Sequence, residues 1–220
     1  MDNYLQATRF FDYRQPQLAQ WIDQQLDGVA TDPVSQMRAL YLAVRDEVHY
    51  NPYVFSDDPD TFRASHALIS GESYCIPKAI LLGAAARAIG VPSRLGLADV
   101  RNHLSSPKLI EFLRSDIFRM HGYIELYLNE RWVKATPAFN NRLCQIMGVE
   151  PLAFDGLRDS VFQQYTADGH AHMEYIEDHG VFDDLPHEFI VDSVRTHYSH
   201  LFQDGELQDH RRDSLESDLA

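Results

Sequence analysis

Two residues of this chain have the types and settings that thiol chemistry requires, and the first is Cys75. It stands two residues before Pro77, and the apolar run that follows ends at Gly90 and Pro92. Proline is favoured in the first turn of a helix and glycine just after the last, so the pattern predicts a helix with Cys75 at its mouth. Free N–H groups and the positive dipole end favour a thiolate there, so the sequence predicts a lowered pKa for the Cys75 thiol.

The predicted helix is apolar on nearly all of its faces. Its apolar side chains are Ile76, Ala79, Ile80, Leu81, Leu82, Ala84, Ala85, Ala88 and Ile89. A helix with so little polar surface is expected to be buried centrally. A rigid central helix could position Cys75 for catalysis, although a buried structural cysteine that caps a core helix fits the same segment.

The second residue is His121, which opens a segment with the period of a β-strand. One face of this predicted strand carries Ile124, Leu126 and Leu128, and the other carries His121, Tyr123, Glu125 and Tyr127. Asn129-Glu130 is predicted as a tight turn, and residues 131–136 as a returning strand that Pro137 ends. A histidine on such a strand face is a candidate general base.

The length of the turn decides which residue faces His121. A two-residue loop pairs Glu125 with Lys134, and opposite charges in directly opposed positions are mildly stabilising. The same register pairs Tyr123 with Thr136, which makes Thr136 a diagonal neighbour of His121. A loop one residue longer would move Thr136 to the opposite face of the sheet.

Four segments in this order resemble the transglutaminase-like superfamily of papain-fold thiol enzymes. The family pattern is a helix that begins at a cysteine, a histidine strand, a hairpin with a tryptophan and an Asp-Pro pair. The matching segments are residues 39–50, 74–94, 121–128 and 132–137, and the resemblance covers residues 32–140. It implies an α+β papain/transglutaminase-like core, with N-terminal helices packed on an antiparallel β-sheet.

The chain departs from the family at Thr136, where the family has an aspartate. An aspartate orients the imidazole and stabilises the imidazolium, whereas a threonine hydroxyl can accept a hydrogen bond but carries no charge. Thr136 could serve as a weaker third member of the site. Asn140, Asn141 or Asp155 could fold back and supply that partner instead. Alternatively, the chain could be a catalytically inactive transglutaminase-like binding module.

The function that the resemblance implies is acyl chemistry on a peptide, isopeptide or carboxamide bond, by hydrolysis or by transfer to an amine. Cys75 would attack the carbonyl, and His121 would take the thiol proton and return it to the leaving amine. The Cys75 backbone N–H and one further donor, for which Tyr74 is a candidate, would hold the oxyanion. Tyr123 is a candidate for lining the site, and His103 is a second candidate base in a predicted loop.

Composition limits the partners of this chain. Its formal net charge of −14 argues against nucleic acid and anionic membranes. Cys75 and Cys144 are too few for a disulfide framework and are expected to be reduced, as in a cytoplasm. No signal pattern or membrane-length apolar run is present. We therefore expect a cytoplasmic protein with a peptide or protein substrate, and the oligomeric state stays open.

No metal or cofactor is expected, because the chain has no strong zinc spacing and no acidic calcium loop. A weaker hypothesis is a metal-binding protein. It would use His170, His172 and Glu174, which share one face of a predicted strand.

The length of 220 residues fits one domain. We predict a single domain over residues 1–202, with the core motifs in 32–140 and a C-terminal extension in 141–202. Residues 203–220 are predicted to be a polar tail that frays.

Further elements are predicted along this domain. Helices are predicted at residues 16–28 and 33–48. A long connection at 98–120 is predicted to contain one short helix. Beyond the core motifs, a hairpin is predicted across Ala167-Asp168-Gly169. Asp183-Asp184-Leu185-Pro186 is predicted to open a final helix that runs to about Leu201. We expect its apolar stripe to pack on the core; the stripe consists of Leu185, Phe189, Ile190, Val194 and Tyr198.

Overall fold

The structure, a computed structural model, describes residues 1–162, 173–204, 206–208 and 214–219. The hairpin predicted across residues 167–169 lies outside the described residues, as do His170 and His172. None of the described helices is both long and apolar enough to cross a lipid bilayer.

The described part of the chain alternates helices with antiparallel strands. The helices are α1 (Pro16–Gln25), α2 (Pro33–Glu47), α3 (Ala64–Ser70), α4 (Cys75–Ala88), α5 (Pro107–Leu113), α6 (Asn141–Met147), α7 (His187–His197) and α8 (Leu215–Leu219). The strands are β1 (His49–Tyr50), β2 (Glu72–Ser73), β3 (Ser93–Asn102), β4 (Ile117–Leu128), β5 (Arg131–Ala135), β6 (Met173–Phe182), β7 (Phe202–Gln203) and β8 (Glu206–Leu207). Four short 3₁₀ turns are Asp2–Leu5, Pro52–Val54, Pro59–Phe62 and Ser199–Leu201.

The main sheet has four strands in the order β5-β4-β3-β6, and each neighbouring pair is antiparallel. The α+β class with helices packed on an antiparallel sheet is therefore confirmed. The predicted long connection at residues 98–120 is shorter than expected. Its two ends pair with each other, so β3 runs on to Asn102 and β4 already begins at Ile117.

Helix α4 is the central helix of the fold, and all of its residues from Cys75 to Arg87 are buried. It packs on the face of β4 that carries Ile124. Gly83 permits this close approach, because a Cβ there would lie 2.6 Å from Ile124 Cδ1 and from Phe11 Cε1. The apolar pattern of the segment thus predicted its central position correctly.

The hairpin between β4 and β5 has the predicted two-residue loop. Asn129 and Glu130 both have positive φ angles, 49° and 62°, as the mirror-image turn of a tight hairpin requires. Glu125 pairs with Lys134, and the last pair before the strands part is Ile124 with Ala135. The register inferred from opposite charges is therefore confirmed.

The C-terminal extension completes the core. Strand β6 pairs along β3, and α7 packs against β4 and buries Ile190 and Val194. Phe189, predicted in the apolar stripe of this helix, is instead 45% exposed. The prediction of a fraying tail is wrong for residues 215–219, which form α8 and pack beside α5 and α6.

Candidate active site

A cavity of about 110 Å³ lies at the N-terminal end of α4. Both Cys75 and His121 line it, so the structure brings the two predicted chemical groups to one cavity. Most of the other lining side chains are aromatic or aliphatic. They include Tyr50, Tyr53, Tyr74, Phe112, Phe139, Phe162, Val194 and Leu215. Such a lining excludes water from the two groups.

Cys75 is the first residue of α4, and Tyr74 before it is in extended conformation. The backbone N–H groups of Gly122, Ile76 and Cys75 itself favour the thiolate. Burial outweighs them and raises the pKa of the Cys75 thiol to about 11. The predicted lowering of this pKa is therefore wrong for the structure as it stands, because the helix mouth is sealed from water.

Among the described residues that line the cavity, His121 is the only side chain that could accept the thiol proton of Cys75. It is 5% exposed, and its ring lies 5.5 Å from that of Phe162. Its buried Nε2 has no hydrogen-bond partner among the described residues. Burial lowers the pKa of His121 to about 4, so the imidazole is neutral near pH 7 and free to accept a proton.

A β-bulge immediately precedes His121. The register pairs Ala98 with His121 but Val100 with Phe118, which leaves one extra residue in β4. Met120 takes this position with a φ of 57°, and its N–H donates to Asp99 Oδ1 over 3.0 Å. Bulges re-aim neighbouring side chains and recur beside active sites. No feature of the sequence announced this one.

Gly122 is a site residue that sequence reasoning missed. A Cβ at this position would lie 2.8 Å from Ile76 Cα and 3.1 Å from Ile76 N. Glycine therefore lets the first turn of α4 touch β4, which carries the neighbouring His121 close to the mouth of that helix. The small residue after the histidine was the available signal, because close approach of two backbones demands glycine.

Thr136 lies one residue beyond the end of β5. The observed pairing ends at Ile124 with Ala135, so the placement of Thr136 opposite Tyr123 and diagonal to His121 stays a prediction. Its buried Oγ1 has no hydrogen-bond partner among the described residues, while its carbonyl accepts from Tyr41 Oη over 3.1 Å. Thr136 and His121 are therefore not hydrogen-bonded to each other in this structure.

Asn140 is committed to other partners. Its Oδ1 accepts from the backbone N–H of Tyr50 over 3.0 Å, and its Nδ2 donates to Glu216 Oε1 over 3.2 Å. The neighbouring Asn141 is exposed at the start of α6. Neither residue contacts the free ring nitrogen of His121.

Asp155 is also unavailable as a third member. Its carboxylate accepts from the backbone N–H groups of Leu157 and Arg158 and pairs with the Arg158 side chain at 3.1 Å. These bonds lower the pKa of Asp155 to about 2. The carboxylate caps its own loop, so the structure does not bring it to His121.

Of the remaining candidate residues, one lines the cavity and two lie outside it. Tyr74 lines the cavity, and its buried Oη has no hydrogen-bond partner in the described part of the chain. Tyr123 instead covers Gly96 and lies 4.7 Å below Lys134 Nζ, away from the cavity. His103 is partly exposed near Glu174 and is absent from the described lining.

Lys78 is a buried amine one helical turn after Cys75. Burial lowers its pKa to about 7. Its Nζ donates to the backbone carbonyls of Arg45 and Val48, at the end of α2. The amine thus caps a neighbouring helix and does not serve the sulphur.

Metal-like spacing occurs away from this cavity. Among the described residues, Asp99, Glu177 and His179 form the group of histidine and carboxylate ligands with suitable separations. Arg119 Nη1 already contacts Asp99 Oδ2 at 2.6 Å, so a cation would compete with a guanidinium. Glu174, from the weaker metal hypothesis, pairs with Arg101 at 2.9 Å.

Comparisons with known proteins agree with the fold of this chain. The model of the transglutaminase-like superfamily matches residues 20–137, which is more than half of the chain. A solved structure of a candidate cysteine protease from Cytophaga hutchinsonii is similar in fold, with a TM-score of 0.50 and 14% identity. The match covers 85% of this chain and 48% of that one, so this chain spans about half of its length. No curated protein matches the chain.

Proposed function

Because the chain belongs to the transglutaminase-like superfamily, we propose that it is a thiol enzyme that cleaves or transfers acyl groups through Cys75 and His121. The substrate is a peptide or protein, attacked at a peptide, isopeptide or carboxamide bond. The observation that supports this proposal is that Cys75 and His121 line the same cavity, with Cys75 at the mouth of a buried helix.

The chemistry follows from the neutral state of both groups. His121 takes the thiol proton as the sulphur forms a bond to the carbonyl carbon. The tetrahedral intermediate collapses, the C–N bond breaks, and the imidazolium gives its proton to the leaving amine. Water or a second amine then attacks the thioester while His121 takes its proton, the C–S bond breaks, and the imidazolium returns the proton to the Cys75 sulphur.

Backbone donors support the oxyanion of this intermediate. The backbone N–H groups of Gly122, Ile76 and Cys75 favour negative charge on the sulphur, and a carbonyl attacked by that sulphur would develop its charge near them. Tyr74 Oη, which has no partner among the described residues, is a further donor in the same cavity. Fixed donors in a site that excludes water stabilise developing charge strongly.

A second candidate function is a binding module without catalysis. It is favoured by the unbonded Nε2 of His121 and by a threonine at position 136. Without a carboxylate partner, an imidazolium would be less stable in this cavity. Both cysteines are free thiols, which suits the proposed cytoplasmic setting.

Alkylation of the native chain separates the two candidates, with Cys144 as the internal control. Both thiols are buried, and burial raises the pKa of each to about 11. Peptide mapping after iodoacetamide treatment should show Cys75 modified at least ~10-fold faster, since a neutral imidazole lines the same cavity as Cys75. His121→Ala should remove that advantage. Equal rates for the two thiols in the native protein would favour the binding module.

A further inference from the structure

The C-terminal helix α8 covers the cavity that holds Cys75 and His121. Leu215, its first residue, is 4% exposed and lines that cavity. The next residue, Glu216, reaches the rim, where its Oε2 pairs with Arg142 Nε at 3.0 Å and its Oε1 accepts from Asn140 Nδ2. An apolar anchor and a carboxylate are thus placed on one edge of the cleft.

A second carboxylate of α8, that of Asp218, has separate partners. Asp218 Oδ1 pairs with Lys108 Nζ at 2.8 Å, and its Oδ2 accepts from Tyr53 Oη. The side chain of Asp218 is only 1% exposed, and Tyr53 is itself part of the cavity lining. A buried carboxylate with two donors is a specific contact, in contrast to an ordinary surface ion pair.

Helix α8 therefore contacts one apolar cavity and two cationic side chains, Lys108 and Arg142, that lie outside the cavity lining. This set of contacts defines a binding surface. The segment that fits it reads Leu215-Glu216-Ser217-Asp218, with a carboxylate one residue and three residues after the leucine.

We propose that residues 214–219 occupy the substrate cleft as an internal ligand, and that the cleft binds peptides in which a leucine-sized side chain is followed by carboxylates at the next and third positions. While α8 is bound, it excludes such peptides and restricts access to Cys75. When it leaves, small reagents reach the thiol faster. The control of catalysis rests on the proposed function, whereas the peptide binding does not.

The first test measures exposure of Cys75 in the intact chain. Asp218→Lys places two ammonium groups together and should release α8, so iodoacetamide should modify Cys75 at least ~10-fold faster than in the native protein. Asp192→Lys makes the same charge change at an exposed position of α7 and should leave the rate unchanged. Combining Lys108→Glu with Asp218→Lys restores an opposite-charge pair and should return the slow rate.

The second test measures binding without catalysis. A fluorescent Ser-Leu-Glu-Ser-Asp-Leu peptide should bind the Leu215→Asp protein, whose own anchor is lost, and should bind the native chain at least ~10-fold more weakly. The same peptide with lysine in place of its aspartate should bind neither the Leu215→Asp protein nor the native chain. If Leu215→Asp fails to fold, Asp218→Lys serves as the receptor.

The outcomes distinguish the two proposals. Unchanged alkylation in Asp218→Lys, or no binding of the acidic peptide to either released variant, overturns the internal-ligand proposal. Peptide binding to a protein whose Cys75 reacts no faster than Cys144 would leave this inference standing and remove the catalytic one.

Discussion

At the residue scale, the charge state of the Cys75–His121 pair is set by burial. The thiol pKa is raised to about 11 and the imidazole pKa is lowered to about 4, so both groups are neutral near pH 7. A thiolate–imidazolium pair would cost too much in a dry cavity without further partners. Proton transfer therefore accompanies substrate attack or follows opening of the cleft.

The first prediction concerns acid stability. His121 has a folded-state pKa of about 4, below its ordinary value of 6.5, so the unfolded chain binds more protons between these values. Stability present at pH 7 is lost as pH falls through this window, by about 3 kcal/mol. Urea unfolding at pH 7, 5.5 and 4 should show that the free energy of unfolding of His121→Gln falls by about 3 kcal/mol less than that of the native protein. His103→Gln, which removes a histidine outside the cavity, is the matched control. Parallel losses in all three proteins would contradict the burial of His121.

The second prediction concerns the third member of the site. Thr136→Asp should place a carboxylate diagonal to His121 and raise the imidazole pKa by at least ~1 unit, because a nearby negative charge stabilises the imidazolium. Titration of the ring protons by NMR measures this shift, with Thr136→Asn as the uncharged control. An unchanged pKa would mean that position 136 does not face the ring.

At the element scale, the sequence was informative wherever the physical cause was local. Pro77 and Gly90 bracket α4, and the pairing of Glu125 with Lys134 marks the hairpin register. Contacts between distant segments could not be predicted from the sequence. The bulge at Met120 depends on Asp99 in another strand, and the need for Gly122 depends on the turn at Ile76. The bulge and the close approach at Gly122 therefore come from packing between distant segments, which no local sequence pattern predicts.

The third prediction concerns the contact between α4 and β4. Gly122→Ala would press a Cβ against the backbone of Ile76, at 2.8 Å from its Cα, and should cost about 1–3 kcal/mol of stability. It should also slow alkylation of Cys75, because the mouth of α4 must move. Gly83→Ala is the matched control on the same interface, since its Cβ would meet side-chain atoms of Ile124 and Phe11, which can shift, and no backbone atom of β4.

Unfolding curves and alkylation rates of both variants test this prediction. Gly83→Ala should keep the native rate at Cys75, and its gain in helix propensity should offset part of the clash. If Gly122→Ala also kept native stability and rate, the close approach of α4 to β4 would be wrong.

At the scale of the whole molecule, the C-terminal extension is part of one core. Sequence reasoning predicted that the apolar stripe of α7 must be covered, and α7 does pack on β4. It did not predict α8 as a lid on the cavity, because residues 203–220 are mostly polar. Among the described residues of α8, the only large apolar anchor that is buried is Leu215. The ion-pair partners of α8, Lys108 and Arg142, lie far away in sequence.

The fourth prediction follows from this single core. A fragment of residues 1–140 loses β6 and α7 and exposes the surfaces that bury Ile190, Val191 and Val194. Each such side chain contributes about 1.5–3 kcal/mol, and several together equal the whole stability of a domain. The fragment should be insoluble, or should melt without cooperativity by calorimetry. A soluble, cooperatively melting fragment would show that the extension is a separate module.

The measurement that tests the central claim most directly is detection of an acyl group on Cys75. The Leu215→Asp protein is mixed with the p-nitrophenyl ester of N-acetyl-leucine, quenched in acid and mapped by mass spectrometry. We predict a hydroxylamine-sensitive thioester on Cys75, formed at least ~10-fold more slowly in the His121→Ala variant and at an unchanged rate in Cys144→Ala. Absence of the adduct, or equal acylation of Cys75 and Cys144, would contradict the assignment of Cys75 and His121 as a catalytic pair.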